Sequence, residues 1–504
     1  MIDITCLLIV LALMSVYLYL TKNYNYWKNQ NVPCASYALP GIGHGLSLIL
    51  VWDNLAMWAT KLYKKMQKHS MYGCYFIQTP ALIIRDPELI KCVLLSDFAN
   101  FQNNMITLNE QLDPAMARNP FFAKDDIWKE SRMVLGNNFS GKILRSVSKI
   151  LFQVCEKFTT FVNEQITENK GYAEFELKDL FARITGEMIA NSAFGIEGQS
   201  FSRSPSLQAF TNIAKEIFDP KKINGIEEAI RFCFPKLADK LGLRMIPKEI
   251  DTYFRQTTKT IIKARLQSNK SRNDFLQYII ERMYKEINED MAVSQAISLF
   301  FDGYETSSSA LSFVIYHIAE NPGIQEKLRK EVFTVLKRFD NKVTYEAIKM
   351  MHYLEQVIYE SIRLNPPLGE FVKVCNKQIQ LKGYDGLQCN LKPGDLIIIS
   401  VFGLHMDHEF WPNPSKFDPE RFSTINKATR NKFTYLGFGE GPRMCIGKRM
   451  GLMIVKAVTA IILQQYFLEP CSKTRVPLQM NPNTFASVVR GGLWARFESL
   501  NTKN

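Results

Sequence analysis

A glycine-rich segment that carries one cysteine constrains this chain more than any other feature of its sequence. Residues 438–447 read FGEGPRMCIG, and an apolar helical pattern follows them. Glycines such as Gly441 and Gly447 let the backbone turn tightly and pass close to a flat group, where a side chain would clash. Backbone N–H groups in such a turn, together with the N-terminus of the following helix, can stabilise a thiolate at Cys445. The segment therefore predicts a cysteine that binds a metal ion from a protected loop.

Two side chains of this segment suit that role. Phe438 would shield the sulfur from water, and Arg443 has the charge and the fork geometry to hold a carboxylate group. A lone cysteine beside a turn is more often an inert buried thiol, so the prediction depends on the whole pattern. The ten cysteines of the chain include no C-x-x-C pair, which argues against a structural zinc site and favours a reducing compartment.

The beginning of the chain is apolar. Residues 4–20 carry no formal charge, and their 17 positions are just enough for a helix to cross a bilayer, which takes roughly 17–25. Asp3 precedes this stretch, Lys22 and Lys28 follow it, and the aromatic residues at that end, as far as Trp27, are expected at the membrane interface. A cleaved signal peptide would instead begin with basic residues and end at small ones. We therefore predict a retained anchor whose C-terminal end faces the cytoplasm.

Helical patterns dominate the rest of the chain. Apolar residues recur at three and four positions over residues 149–167, 250–266 and 292–320. Strand-like stretches are confined mainly to residues 73–84 and 378–399. The fold class predicted from these patterns is mostly α (α+β), one large domain with a small β region after one transmembrane helix. The predicted division is a membrane anchor at residues 1–21, a hinge at 22–45 and the catalytic domain at 46–504.

The formal net charge of +13 limits the partners of the chain. A basic protein can meet nucleic acid, an anionic membrane or an acidic protein. No basic cluster with interleaved aromatic residues occurs, so nucleic acid is the least favoured partner. Six basic residues could form a face toward an acidic protein, although a generally solvated surface remains the alternative: Lys129, Lys142, Arg145, Lys432, Lys448 and Arg449.

The motifs together resemble the cytochrome P450 family, of the microsomal type and closest to the insect detoxification group. The family's F-x-x-G-x-R-x-C-x-G signature is met at Phe438, Gly441, Arg443, Cys445 and Gly447. The resemblance covers nearly the whole chain and implies a single large cytochrome P450 fold. It implies that Cys445 ligates the iron of haem b, that Phe438 and Gly447 lie in the cofactor-binding set, and that Arg443 holds a haem propionate.

Further landmarks occur in the family's order. Glu360 and Arg363 match its E-x-x-R pair, which Arg421 would lock as structural support for the cysteine loop. Trp128 and Arg132 match its W-x-x-x-R helix, whose two donors would reach a haem propionate. These two residues are therefore expected to bind the cofactor, whereas the first three are expected to have no catalytic role.

Residues 301–306, FDGYET, resemble the distal helix of the family. Thr306 would open this helix locally and hydrogen-bond dioxygen, and Glu305 would lie on the proton route; both are predicted catalytic residues. Asp302 replaces the usual alanine, and a carboxylate there is costly unless it is paired or neutral. Two alternatives stay open: an ester to a haem methyl, as in the fatty-acid hydroxylases that carry glutamate here, or a neutral or hydrogen-bonded aspartate that lines the pocket.

Two other positions complete the expected site. Lys373 stands where a propionate-binding arginine is common, and lysine keeps the charge without the bidentate fork. His405 is expected to be packed or bonded to a propionate, without a catalytic role. Six phenylalanines are expected to line an apolar pocket for lipophilic molecules: Phe121, Phe122, Phe218, Phe301, Phe371 and Phe485.

The resemblance implies a membrane-bound haem-thiolate monooxygenase. It would insert one oxygen atom of O2 into a lipophilic small molecule, xenobiotic or endogenous, with electrons from NADPH-cytochrome P450 reductase, and cytochrome b5 is a second candidate partner. The expected location is the cytosolic face of the endoplasmic reticulum membrane. A haem-thiolate isomerase or dehydratase that acts on peroxides and a non-catalytic haem-binding protein are the alternatives. The Glu305–Thr306 pair favours the monooxygenase.

Overall fold

The computed structural model describes residues 2–66, 68–203, 209–268, 272–283 and 289–500. The α-helices within these residues are α1 (Ile2–Thr21), α2 (Leu46–Ile49), α3 (Leu55–Lys65), α4 (Pro87–Lys91), α5 (Asp125–Gly136), α6 (Gly141–Glu168), α7 (Leu177–Ile189), α8 (Phe210–Phe218), α9 (Gly225–Cys233), α10 (Pro235–Lys240), α11 (Lys248–Ser268), α12 (Phe275–Met283), α13 (Glu289–Glu320), α14 (Pro322–Leu336), α15 (Tyr345–Lys349), α16 (His352–Leu364), α17 (Val401–His405), α18 (Thr424–Thr429) and α19 (Lys448–Gln465). The strands are β1 (Met71–Phe76), β2 (Thr79–Ile84), β3 (Tyr172–Glu176), β4 (Glu370–Val374), β5 (Ile379–Lys382), β6 (Gln388–Leu391), β7 (Leu396–Ser400), β8 (Tyr466–Pro470) and β9 (Trp494–Ser499).

The strands form three small sheets beside this helical body. One sheet has the order β1-β2-β7-β4, in which β2 and β7 run parallel and the other neighbours antiparallel. A second sheet has the order β3-β9-β8, and β5 pairs with β6. The predicted mostly helical fold with a small β component is confirmed.

Helix α13 runs through the centre of the body. Almost every side chain from Met291 to Ala319 is buried, including polar ones such as Gln295 and Ser312, so α13 is enclosed on all sides by the body. It packs against α7 on one side and against α16 and α19 on others. Helix α19 is also a core helix. Even its Lys456 is buried, and the ammonium group donates to the Glu355 carboxylate at 2.6 Å.

Helix α1 stands apart from this core. Its window Ile4–Thr21 has a mean hydropathy of 2.3 and is not buried against the body, so by length and composition it can cross a membrane. Residues 22–45, predicted to be a hinge, bond to the first sheet at several points, among them the Ala35 N–H to the Gly73 carbonyl and the His44 N–H to the Tyr75 carbonyl, both at 2.9 Å. Trp27, which we expected among interfacial aromatic residues, is fully buried and donates its indole N–H to the Cys74 carbonyl at 2.8 Å. Helix α1 is thus joined to the body by a packed segment.

Candidate active site

The backbone of residues 438–447 folds back on itself to present Cys445. The Cys445 N–H donates to the Phe438 carbonyl at 2.7 Å, and the Met444 N–H donates to the Gly441 carbonyl at 3.0 Å. Gly441 has a φ of 78°, and a Cβ atom there would lie 1.8 Å from the Leu94 carbonyl oxygen. Glycine is therefore required at this position on two counts.

Gly447 requires a different explanation from the one its sequence suggested. Its φ is −84°, which any residue adopts, so the turn itself does not demand glycine. A Cβ atom there would meet only Phe139, at 4.0 Å. Backbone conformation therefore does not explain the glycine. The remaining explanation is the space that the missing side chain leaves beside the cavity, which Gly447 lines.

The Cys445 side chain is accessible, and it faces an internal cavity. Burial, and more weakly the charge of Asp302, raises the pKa of its thiol above the usual value, while the Gly447 N–H and, more weakly, Arg132 and Lys448 act in the opposite direction. The protein groups alone therefore favour the neutral thiol. A thiolate here needs a further positive partner, which a bound metal ion supplies.

The cavity has a volume of about 330 Å³ and lies between the cysteine segment and α13. Its walls are mainly apolar, as expected for a site that binds lipophilic molecules. Phenylalanines whose positions in the sequence suggested a pocket do line it: Phe121, Phe122, Phe218, Phe301, Phe371 and Phe485.

Two buried N–H donors on the cavity wall have no acceptor among the described residues. One is the indole N–H of Trp128, a residue of α5 that borders the cavity. Arg443 stacks on that indole at 4.5 Å and donates to the carbonyls of Pro120 and Ala123, at 3.0 and 2.8 Å, but its Nε is unpaired. Burial, and then the charge of Arg132, lowers the pKa of Arg443 to about 9. An anionic group is the ligand that would satisfy these donors.

Arg132 and Lys373 line the same cavity. Burial lowers the pKa of the Arg132 guanidinium. The charge of Cys445 raises this pKa, but by less than burial lowers it. The Lys373 ammonium donates to the Asn104 side chain at 2.8 Å, and burial lowers its pKa to about 7. Burial thus destabilises the charged forms of Arg132 and Lys373 at the cavity wall. An anionic group bound beside them would stabilise these charged forms.

The predicted support for the cysteine loop is present. Both side chains of the Glu360–Arg363 pair are fully buried, and their bonds measure 2.6 and 2.8 Å. Arg421 lies on the other side, with its Nε 3.3 Å from a Glu360 oxygen, an ion-pair distance without hydrogen-bond geometry. His405 is packed and not free for a propionate, since its ring donates to the Arg363 carbonyl at 3.1 Å and accepts the Leu436 N–H at 2.8 Å.

The residues predicted to be catalytic lie on α13, with two differences from expectation. The helix is α-helical through Thr306, so the expected local opening is absent, and the Thr306 hydroxyl donates to the Asp302 carbonyl at 2.5 Å. Glu305 borders the cavity, but its carboxylate is bonded to the Lys178 ammonium of α7 at 2.7 Å. Lys178 also donates to Ser308 at 2.8 Å. Sequence reasoning missed Lys178, because only packing brings it to α13.

Asp302 lines the cavity and has one partner that the sequence did not indicate. Its Oδ2 accepts a hydrogen bond of 3.0 Å from the amide of Asn119, which is fully buried. Burial raises the pKa of the Asp302 carboxyl to about 7, opposed by this hydrogen bond. Of the two alternatives above, the hydrogen-bonded aspartate is present, and the haem ester stays a hypothesis.

The cysteine of the glycine-rich loop faces a buried helix across a mainly apolar cavity, and unsatisfied N–H donors lie at its wall. The family model described as "Cytochrome P450" matches residues 33–493. Cytochrome P450 6a2 and Probable cytochrome P450 6a13 of Drosophila melanogaster are each 32% identical to the chain, covering 98% and 96% of it and 99% and 97% of their own lengths. Cytochrome P450 9e2 of Blattella germanica is 30% identical over 96% of the chain and 95% of its own length.

The chain belongs to the cytochrome P450 family. It is therefore a member of a family of monooxygenases whose cofactor is haem, and whose partners in general are a substrate, O2 and a reductase. The residues present fit that cofactor, because Trp128 and Arg443 offer unsatisfied donors for its propionates and Cys445 offers an accessible sulfur.

Proposed function

We propose that this chain is a membrane-anchored haem-thiolate monooxygenase that inserts one oxygen atom of O2 into a lipophilic small molecule. The observation that carries the proposal is the accessible Cys445 sulfur, which faces a mainly apolar cavity. On this proposal Cys445 is the iron ligand and not a nucleophile. Bound haem would supply the activation of O2. The side chains described above would bind the haem, limit the access of water and deliver protons.

The residues around the cofactor divide the work between binding and protection. Trp128 and Arg443 have buried donors in need of an acceptor, and Arg132 and Lys373 add positive charge, so these four suit the two propionates. Phe438 lines the cavity beside the cysteine and limits the access of water to the sulfur. The backbone N–H of Gly447 lowers the pKa of the Cys445 thiol, which favours the negative form of the ligand.

Protons would reach the cavity from the α7 side of α13. The Thr306 hydroxyl lines the cavity and can pass a proton, although it is bonded to the Asp302 carbonyl in this structure. Glu305 would deliver the proton to it, and Lys178 would hold the Glu305 carboxylate in place between turnovers. A haem-thiolate isomerase or dehydratase needs no such delivery, so the Glu305–Thr306 pair favours the monooxygenase over that alternative.

The membrane and the redox partner complete the proposal. The apolar helix α1 would anchor the chain in the endoplasmic reticulum membrane, with the body on the cytosolic side. Electrons would come from the NADPH-dependent reductase, with cytochrome b5 as a second donor. Lys142 and Arg449 are exposed near the cysteine side, whereas Lys129 and Arg145 of the same basic set are paired with Asp126 and Glu346. Charge reversal at Lys142 and Arg449 is therefore expected to slow reduction of the haem most.

The test of the proposal begins with the sulfur ligand. Purified chain with haem, reduced and exposed to carbon monoxide, should give the red-shifted absorption spectrum of a thiolate-ligated haem. We call this the red-shifted carbonyl spectrum. Cys445→Ser should lose that spectrum, and the control Cys6→Ser, in the anchor helix, should retain it. Retention of the spectrum in Cys445→Ser would overturn the ligand assignment.

Oxygen consumption then separates the function classes. A monooxygenase consumes O2 only with reductase, NADPH and substrate present. An isomerase or dehydratase would convert a peroxide substrate without either O2 or reductase. A non-catalytic haem protein would do neither.

A further inference from the structure

Asp302 is held in a fixed position on the cavity wall. The side-chain oxygen of Asn119 accepts the Phe121 N–H at 2.7 Å, which orients the amide so that its nitrogen donates to Asp302 Oδ2 at 3.0 Å. Asn119 is fully buried, so this orientation does not compete with bulk water. One carboxylate oxygen is thereby used, and Asp302 itself lines the cavity.

Asp302 differs from the other carboxylates that line the cavity. Glu305 is paired with Lys178, Glu228 with Arg231, and Glu440 lies 4.0 Å from Lys432. No cation among the described residues is paired with Asp302. Its carboxyl pKa is affected by burial and by the hydrogen bond from the Asn119 amide. The cavity therefore contains one fixed acidic group without a positive partner from the described part of the chain.

The cavity that this carboxylate lines has mainly apolar walls. Phe122, Phe301 and Phe218 form a connected aromatic wall, with ring centres 6.1 Å apart in the first pair and 5.1 Å in the second. A carboxylate in such surroundings is costly unless something compensates its charge or its unfilled acceptor. The three cations that line the cavity, Arg132, Lys373 and Arg443, would face the cofactor's propionates on the proposed function, and so have another anionic partner.

We propose that Asp302 is a substrate-recognition residue, and that the cavity selects lipophilic cations, namely amines that are protonated or quaternary. This rests on the proposed function, since the ligand would be the substrate of the haem site. The ammonium group lies against Asp302 and the apolar part of the ligand against the phenylalanines. A neutral ligand of the same shape leaves the carboxylate without a partner, and binds more weakly for that reason.

The test compares two probes that differ only in charge: (4-phenylbutyl)trimethylammonium and the hydrocarbon in which carbon replaces the nitrogen. The quaternary nitrogen cannot bind iron. Equilibrium dialysis against the haem-loaded full chain measures both affinities without relying on turnover. We expect the cation to bind at least about tenfold more tightly than the hydrocarbon. Asp302→Asn, which keeps the shape, and Asp302→Ala should each remove that preference.

Glu228→Gln is the matched control, because it also deletes a cavity carboxylate, but one that is already paired with Arg231. It should leave the cation preference intact. Equal affinity of the two probes for the unaltered chain would overturn the proposal, and so would a preference that persists in Asp302→Asn. Haem that stays attached to the unaltered chain after denaturation, but not to Asp302→Asn, would overturn it in favour of the ester.

The proposed function fails on a different measurement. If the carbonyl spectrum of the reduced chain is not red-shifted, the haem-thiolate assignment is wrong whatever dialysis gives. If that spectrum is red-shifted while the probes bind equally, only the recognition role of Asp302 is wrong.

Discussion

The ring of His405 accepts a hydrogen bond from the N–H of Leu436 at 2.8 Å, which ties α17 to the start of the cysteine loop. The opposite ring nitrogen donates to the Arg363 carbonyl, so His405 is the neutral Nδ1–H tautomer. The ring also stacks on Tyr435 with centres 5.1 Å apart. One side chain thus connects the buried Glu360–Arg363 pair to the segment that presents Cys445.

His405→Ala should loosen that loop, since it leaves the buried Leu436 N–H and the Arg363 carbonyl without this partner. We expect a loss of about 1–3 kcal/mol in the free energy of unfolding. The red-shifted carbonyl spectrum should also decay faster. His408→Ala is the control, because that side chain is 83% exposed. Identical decay rates in the two variants would contradict the positioning role.

Trp128→Phe should weaken cofactor binding with little change in packing. Phenylalanine keeps a ring against Arg443 but removes the unpaired indole N–H. Because a hydrogen bond to a charged group contributes about 1.5–3 kcal/mol, haem should transfer to an acceptor apoprotein at least about tenfold faster. Trp52→Phe, at an exposed tryptophan, should leave the transfer rate unchanged. An unchanged rate in Trp128→Phe would mean that the indole N–H does not reach a propionate.

Lys178→Met should destabilise the chain through Glu305. The Glu305 side chain is 8% exposed, and its loss of an ion-pair partner leaves a charge unpaired in the core. Breaking a buried pair in this way costs about 3–5 kcal/mol. Urea unfolding of Lys178→Met, Glu305→Gln and the double variant measures the coupling directly. Lys215→Met, which breaks a surface pair with Asp179, should have a much smaller effect, and additive losses at Lys178 and Glu305 would contradict the prediction.

Acid should destabilise the fold through His317. Burial lowers the pKa of this histidine from 6.5 to about 4, despite a bond of 2.9 Å to the Asn365 side chain. Between these two values the unfolded chain binds a proton that the folded chain does not. The free energy of unfolding should therefore fall as the pH is lowered through this window, by up to about 1.4 kcal/mol per pH unit from this group. Urea unfolding of His317→Gln should show a shallower dependence over the same window, and an unchanged slope would assign it to other groups.

The sequence was most informative where the relevant residues are close in the chain. The cysteine loop and the Glu360–Arg363 pair each lie within one short segment, whose local geometry follows from residue types and spacing. The partners of α13 could not be predicted in this way, because Lys178 and Asn119 lie 127 and 183 positions from the residues they contact. Their positions depend on how α7 and the segment before α5 pack against α13, and no periodic pattern specifies that.

Sequence patterns also failed where one residue type has two physical uses. An aromatic residue after an apolar helix suits a membrane interface, yet Trp27 lies in the core because its indole N–H finds a backbone acceptor there. Glycine at Gly447 suggested a special backbone conformation, but its φ of −84° is ordinary. A threonine that bonds to the preceding turn need not break a helix, as Thr306 shows.

The burial of Trp27 bears on how the protein stands on a membrane. Helix α1 ends at Thr21, and the amide of Asn23 already donates to Gln78 of the body at 2.9 Å. The Gly41 N–H donates back to Leu20 within α1 at 3.3 Å. With contacts this close to the end of the span, the tilt of α1 in the bilayer and the tilt of the body above it are coupled. Lengthening the chain between Thr21 and Trp27 would change that angle, and with it the depth at which the cavity lies relative to the lipid headgroups.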